Sequence, residues 1–170
     1  MGIPIRRTAL STGLVLATAL AGCSSSGGDG SAPAPSGSSG DGGGADAATT
    51  AAVTKAYKTF YDTTTPLGKS VKVLQHGETF RSTLRTESNS PSAVDITAKV
   101  SAVKLVDKDL ARVTFTIYSG KTTLLPGTHG YAVRVHGDWK VAAQTFCSLL
   151  NLEGTAPPAC KDKSITSLHG

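Results

Sequence analysis

The sequence predicts an α+β domain, in which N-terminal helices pack on one face of a curved antiparallel sheet of about four strands. Two observations predict it. Apolar residues recur at helical spacing up to about residue 85, and beyond residue 92 they alternate at a spacing of two. Short polar turns separate the alternating segments, as in an antiparallel meander. Helices followed by such a meander are typical of the α+β class.

Three helices are predicted, over residues 46–62, 66–76 and 78–85. The first carries its large apolar side chains at i, i+4, i+7 and i+8, which places them on one stripe: Val53, Tyr57, Phe60 and Tyr61. Pro66 suits the first position of the second helix, because a proline there loses no helical hydrogen bond. Gly77 is expected to interrupt that helix.

The predicted strands alternate apolar and polar positions and cover residues 94–105, 111–118, 131–136 and 139–147. In the first strand the alternation slips near Ala102, which indicates a β-bulge. A loop is expected over residues 119–127, and Gly137-Asp138 is expected to form a two-residue hairpin turn.

The N-terminus has the layout of an export signal. Arg6 and Arg7 precede a 13-residue apolar stretch, which is too short to span a membrane as a helix. The stretch ends in Leu20-Ala21-Gly22-Cys23, a lipobox. We therefore expect a lipoprotein signal peptide over residues 1–22, cleavage between Gly22 and Cys23, and acylation of Cys23 by chains such as palmitate. An ordinary cleaved signal peptide is the alternative.

These features predict a bacterial envelope protein anchored by lipid on the extracytoplasmic face of the cell membrane. Residues 23–48 hold eight glycines and seven serines after Cys23, which is the composition of a disordered tether with a reach of about 28 Å. A single domain is expected over residues 49–163, followed by a flexible tail over residues 164–170.

The charge of the chain limits the classes of molecule that it is expected to bind. Residues 50–170 contain 15 basic and 9 acidic residues. Export makes nucleic acid an improbable partner, so anionic lipid headgroups or cell-wall polymers would be the counter-charges. Scattered lysines are equally typical of an ordinary solvated surface. The expected partners are membrane lipid through Cys23, and an envelope protein or an apolar ligand.

Cys147 and Cys160 remain once Cys23 is assigned to lipid. They are 13 positions apart, and Gly154, Pro157 and Pro158 between them turn the chain back, so a disulfide is predicted. Such a bridge contributes about 3 kcal/mol in the chain-entropy model. A metal site is the alternative, but no second pair of ligands lies nearby.

The C-terminal half resembles the low-molecular-weight secreted antigen family of mycobacteria and related actinobacteria. The resemblance rests on Gly137-Asp138-Trp139-Lys140-Val141, on Thr145-Phe146-Cys147, on Pro157-Pro158-Ala159-Cys160 and on the Leu125-Pro126-Gly127 segment. It covers roughly residues 49–160. It implies a cone-shaped fold similar to nuclear transport factor 2 and the cystatins, and an exported or envelope-associated protein. It carries no catalytic residue, and members can be freely secreted, whereas Cys23 favours a tether.

Cones of this type can hold a pocket between helices and sheet. The aromatic residues that could line one are Tyr57, Phe60, Tyr61, Phe80, Phe115 and Tyr131. The same residues would equally form an ordinary core. We therefore predict a non-catalytic binding or interaction module, with a carrier of a small apolar ligand as the alternative.

An enzyme is the least favoured function. No serine-hydrolase, zinc-protease or phosphate-binding motif occurs, and no cofactor is implied. His129 and His136 are seven positions apart and on opposite faces of the predicted third strand, so they would not share a metal ion or a proton.

Overall fold

The computed structural model describes residues 44–169, and it confirms the α+β class and the four-stranded antiparallel sheet. In chain order the elements are α1 (Ala47–Tyr61), α2 (Leu67–Lys72), α3 (Arg81–Ser88), β1 (Ile96–Asp107), β2 (Leu110–Ser119), β3 (Thr122–Val135), β4 (Asp138–Val141), α4 (Ala143–Glu153), a 3₁₀ helix (Pro158–Lys161) and α5 (Lys163–Thr166). The strands lie in the order β1-β2-β3-β4. No helix within this range is long and apolar enough to cross a membrane.

Helix α1 is capped by an aspartate at each end, Asp46 before its first residue and Asp62 after its last. Asp46 is its N-cap: the amide of Thr49 donates to Asp46 Oδ1 at 2.7 Å, and the Thr49 hydroxyl donates to Oδ2 at 2.9 Å. At the other end Asp62 accepts from the amide of Thr64 at 2.8 Å, which turns the chain out of the helix. The stripe predicted from Val53 and Tyr57 faces the sheet.

The sheet is a meander with irregular register. The β-bulge expected near Ala102 is present, because the pairing of β1 with β2 shifts between Val100 and Ala102. The prediction of a loop over residues 119–127 is wrong, since β3 begins at Thr122 and its residue Leu125 pairs with β2. Gly127 has a φ of +57°, and its amide donates to the Thr116 hydroxyl at 3.2 Å, so this turn-like sequence is accommodated as a bulge inside the strand.

The hairpin turn between β3 and β4 is one position earlier than expected. Val135 pairs with Asp138, so the turn residues are His136 and Gly137 rather than Gly137 and Asp138. Both have positive φ, +53° and +89°, which is the geometry of a type I′ turn.

The strand expected over residues 139–147 is also wrong beyond Val141, because α4 begins at Ala143. Four buried residues of α4 follow helical spacing: Ala143, Phe146, Cys147 and Leu150. The Gln75 side chain, 68 residues away, accepts from the Ala143 amide at 3.0 Å. A distant residue thus satisfies the first amide of a helix whose own N-cap position provides no side-chain hydrogen bond.

The core lies between the helices and the inner face of the sheet, where Tyr57, Phe80 and Phe115 are completely buried. The outer face of the sheet has a small apolar cluster of its own at one end, formed by Leu110, Val133 and Ala142. Leu168, which follows α5, packs on that second cluster. The C-terminal residues therefore cover part of the outer face.

Candidate functional site

An open apolar groove of about 710 Å³ lies where helices α1, α3 and α4 end beside strands β1 to β3. The buried apolar side chains of its wall are Phe60, Leu84, Ile117, Phe146 and Leu150. Two leucines at its edge are unusually exposed for large apolar residues: Leu124 has 48% of its surface accessible and Leu152 has 75%. The groove is therefore an apolar depression with an apolar edge.

Aromatic packing gives this groove a rigid wall. The rings of Phe60 and Phe146 meet edge to face at 5.5 Å, and Phe80 meets Phe146 in the same way at 5.4 Å. Phe60 also contacts Tyr61 at 4.9 Å. Such edge-to-face pairs fix the orientation of the rings as well as burying them. The shape of the wall is thus set by contacts between α1, α4 and the segment before α3.

The six aromatic residues predicted for the pocket lie in three different places in the structure. Phe60 and Tyr61 line the groove. Tyr57, Phe80 and Phe115 lie in the core behind it, with Tyr61 stacked on Phe115 at 5.4 Å. Tyr131 is separate, because it belongs to the cluster on the outer face, where the Arg112 guanidinium lies 5.9 Å from its ring centre.

Two tyrosine hydroxyls near the groove differ in their partners. The Tyr57 hydroxyl donates to the Tyr131 carbonyl at 2.9 Å, and Gly130 makes room for it, because a Cβ at that glycine would lie 2.9 Å from the hydroxyl oxygen. The Tyr61 hydroxyl is enclosed and has no hydrogen-bond partner among the described residues. Burial raises the pKa of both phenols, so both remain neutral at physiological pH.

Three carboxylates stand around the groove: Asp62, Glu87 and Glu153. Two hydrogen bonds from Thr64 lower the pKa of Asp62. Partial burial of this largely exposed residue, together with the charge of Glu87, raises the pKa of Glu153. Neither glutamate carboxylate has an ion-pair or hydrogen-bond partner within residues 44–169.

His76, His129 and His136 lie outside the groove, and all three are exposed. In the part of the chain that the structure describes, no group of three or more histidine, cysteine or acidic side chains could hold a metal ion.

The predicted Cys147–Cys160 bridge is present, with an S–S distance of 2.03 Å. It joins the 3₁₀ helix to α4, and other residues of α4 form one wall of the groove. Cys23 and its predicted cleavage site after Gly22 lie outside the described residues.

Sequence reasoning missed several groove residues, and each omission has a cause. Leu149, Leu150, Leu152 and Glu153 belong to α4, which begins within the segment predicted as a strand. Leu124 and Leu125 lie in the segment predicted as a loop. The helical spacing of Phe146 and Leu150 was the signal that could have revealed the first group.

Comparison with known proteins gives a family and no individual relative. No curated protein matches this chain, and no solved structure matches it. The sequence model of the C-terminal domain of low molecular weight antigen MTB12 matches residues 46–157, which is more than half of the chain and includes every element from α1 to α4. The chain therefore belongs to the low molecular weight antigen MTB12 family.

Proposed function

We propose that this protein is a lipoprotein on the extracytoplasmic face of the cell membrane, anchored through Cys23, whose folded domain binds a small apolar ligand without transforming it. The observation that carries the binding role is the open groove of about 710 Å³. Ligand sites commonly have volumes of about 300–1,000 Å³, mostly apolar walls and a few polar groups.

The edge of the groove supports this role. Leu124 and Leu152 expose 48% and 75% of their surface beside the opening, and their apolar surface gains from being covered. Each methylene of a ligand buried there would contribute about 0.8 kcal/mol. A chain of eight to ten carbons would then supply roughly 6 to 8 kcal/mol, against which the cost of association must be set.

The titratable groups of the groove support the non-catalytic part of the proposal. Those that line the groove are Asp62, Glu87, Glu153 and Tyr61. Tyr61 has a raised pKa, and no histidine or cysteine stands beside the serines of the groove to activate them. The arrangement suits holding a ligand better than cleaving one.

Binding is tested by titrating the full chain carrying Cys23→Ser, which removes the acylation site, with 1-decanol in a calorimeter. We expect saturable binding that Leu124→Ser and Leu152→Ser each weaken several-fold. Val106→Ser is the matched control, because Val106 is 55% exposed but lies outside the groove. Absence of saturable binding, or equal binding by all variants, would contradict the carrier role.

The anchor is tested separately. Cells expressing the chain are fed an alkyne-tagged fatty acid, and the protein is examined for label and for its fraction after lysis. We expect label and membrane association for the natural sequence, and loss of both for Cys23→Ser. Finding the natural protein unlabelled and in the soluble fraction would contradict the proposed membrane location.

A further inference from the structure

The groove has a charge opposite to that of the domain around it. Residues 50–170 contain 15 basic and 9 acidic residues, yet among the described residues those lining the groove include three carboxylates and no lysine, arginine or histidine. A third of the acidic side chains therefore border one apolar depression in a domain of net positive charge. A random scatter of charges would have placed bases there more often than acids.

The three carboxylates also stand at three helix C-termini. Asp62 follows the last residue of α1, Glu87 is in the last turn of α3, and Glu153 is the last residue of α4. The C-terminus of a helix carries about half a negative charge, which favours a basic side chain and disfavours an acidic one. These positions therefore work against the stability of the helices while concentrating negative potential at the groove.

Two of the three charges are free to meet a ligand. The Asp62 carboxylate already accepts from the amide and the hydroxyl of Thr64, at 2.8 and 2.6 Å. The carboxylates of Glu87 and Glu153 have no such partner in the described part of the chain, and both residues line the groove. Two unpaired carboxylates that line one apolar groove complement a single cation attached to an apolar body.

We propose that the ligand of this groove is a cationic amphiphile, whose ammonium group lies between Glu87 and Glu153 while its aliphatic chain packs against Phe60, Leu84 and Phe146. This inference rests on the proposed carrier function and adds the class of ligand. Fatty acids and other anionic amphiphiles are rejected, because the groove offers their headgroup two repelling carboxylates and no basic side chain.

The test compares three ligands that share a ten-carbon chain and differ in the headgroup: decylammonium, 1-decanol and decanoate. Each is titrated into the full chain carrying Cys23→Ser, below its micelle concentration and at physiological ionic strength, where long-range attraction is screened. We expect decylammonium to bind roughly tenfold more tightly than 1-decanol, as for one charge-assisted contact, and decanoate to bind more weakly than either.

Variants locate the headgroup. Glu87→Gln and Glu153→Gln are each expected to reduce the preference for decylammonium over 1-decanol, and the double variant to abolish it, while the affinity for 1-decanol changes little. Glu78→Gln is the matched control, since it removes the same charge from an exposed glutamate that is paired with Arg81 and lies outside the groove.

The outcomes separate the two proposals. The first outcome is that 1-decanol binds but decylammonium binds no more tightly, or that the preference survives in the double variant. The proposed cationic headgroup site is then wrong, while the proposed binding of an apolar ligand is still supported. If none of the three ligands binds, the carrier function itself is wrong.

Discussion

Tyr57 and Tyr61 are one helical turn apart in α1, yet among the described residues only the Tyr57 hydroxyl has a hydrogen-bond partner. The Tyr57 hydroxyl donates to the Tyr131 carbonyl, which the Ala142 amide also approaches at 2.9 Å. We expect Tyr57→Phe to lower the free energy of unfolding by about 1 kcal/mol, the value of one buried hydrogen bond whose acceptor keeps another partner. Urea denaturation followed by circular dichroism measures the change.

Tyr61→Phe is the matched substitution. It removes an enclosed hydroxyl that has no partner in residues 44–169, so we expect the free energy of unfolding to rise by about 1 kcal/mol or to stay unchanged. Equal losses in both variants would contradict this distinction.

Glu153 makes the stability of the domain depend on pH. Its pKa is raised by burial and by the charge of Glu87, so the folded chain holds this proton more tightly than the unfolded chain does. The associated stability is present below the ordinary pKa of 4.5 and is lost as the pH rises through the higher folded value. We expect Glu153→Gln to raise the free energy of unfolding at pH 7 by about 0.3 kcal/mol, since solvent screens the charge, and to change nothing near pH 3.

Denaturation at pH 3 and pH 7 checks this prediction. Glu78→Gln is the control, because we expect it to change the free energy of unfolding at pH 7 in the opposite direction. A hydrogen bond from Arg81 lowers the pKa of Glu78, so its loss should lower the stability at pH 7. A gain from Glu78→Gln equal to that from Glu153→Gln would show that the gain does not depend on the surroundings of Glu153.

At the scale of elements, β1 and β2 place two like charges opposite each other. Lys104 pairs with Arg112, and both side chains are exposed. We expect Lys104→Glu to raise the free energy of unfolding by about 0.5 kcal/mol, because it converts a repulsive cross-strand pair into an attractive one. Lys99→Glu, opposite Thr116, is the control and should bring no such gain. A similar effect of both substitutions in thermal denaturation would contradict the pairwise explanation.

The elements that could be predicted from sequence were those with a sustained period. Helix α1 and strand β2 carry unbroken patterns of 3.6 and 2, and both form as expected. The segment from Trp139 to Cys147 carries both patterns in succession, so period alone did not show where β4 gives way to α4.

Two tertiary contacts decide that boundary. The amide of Val141 donates to the Val73 carbonyl at 2.8 Å, and Gln75 binds the first amide of α4. Both partners come from a segment more than 60 residues earlier in the chain, which no local pattern reveals.

At the scale of the whole molecule, the disulfide cross-links α4 to the C-terminal segment. We expect the double variant Cys147→Ala/Cys160→Ala to lose about 3 kcal/mol of unfolding free energy. Reductant should cause the same loss in the natural chain and no further loss in the variant. A reductant effect on the variant, or no loss on removing the bridge, would contradict this role.

The bridge could be predicted because two cysteines remained and turn residues separated them, whereas the groove could not. Its wall needs Phe60, Ile117 and Phe146 to converge from three elements, and its carboxylates need three helices to end at one place. Such convergence depends on the packing of the whole domain, and the aromatic pattern alone gave only two of its residues, Phe60 and Tyr61.

Helix α1 has its capping aspartate and its groove residues at opposite ends. Its 15 residues span about 22 Å between Asp46 and Tyr61. Attachment to a sensor surface through a residue upstream of Asp46 would therefore place the point of attachment one helix length away from the groove residues of α1. The C-terminus is the poorer point of fusion, because Leu168 packs on the sheet there and an added group would strain against it.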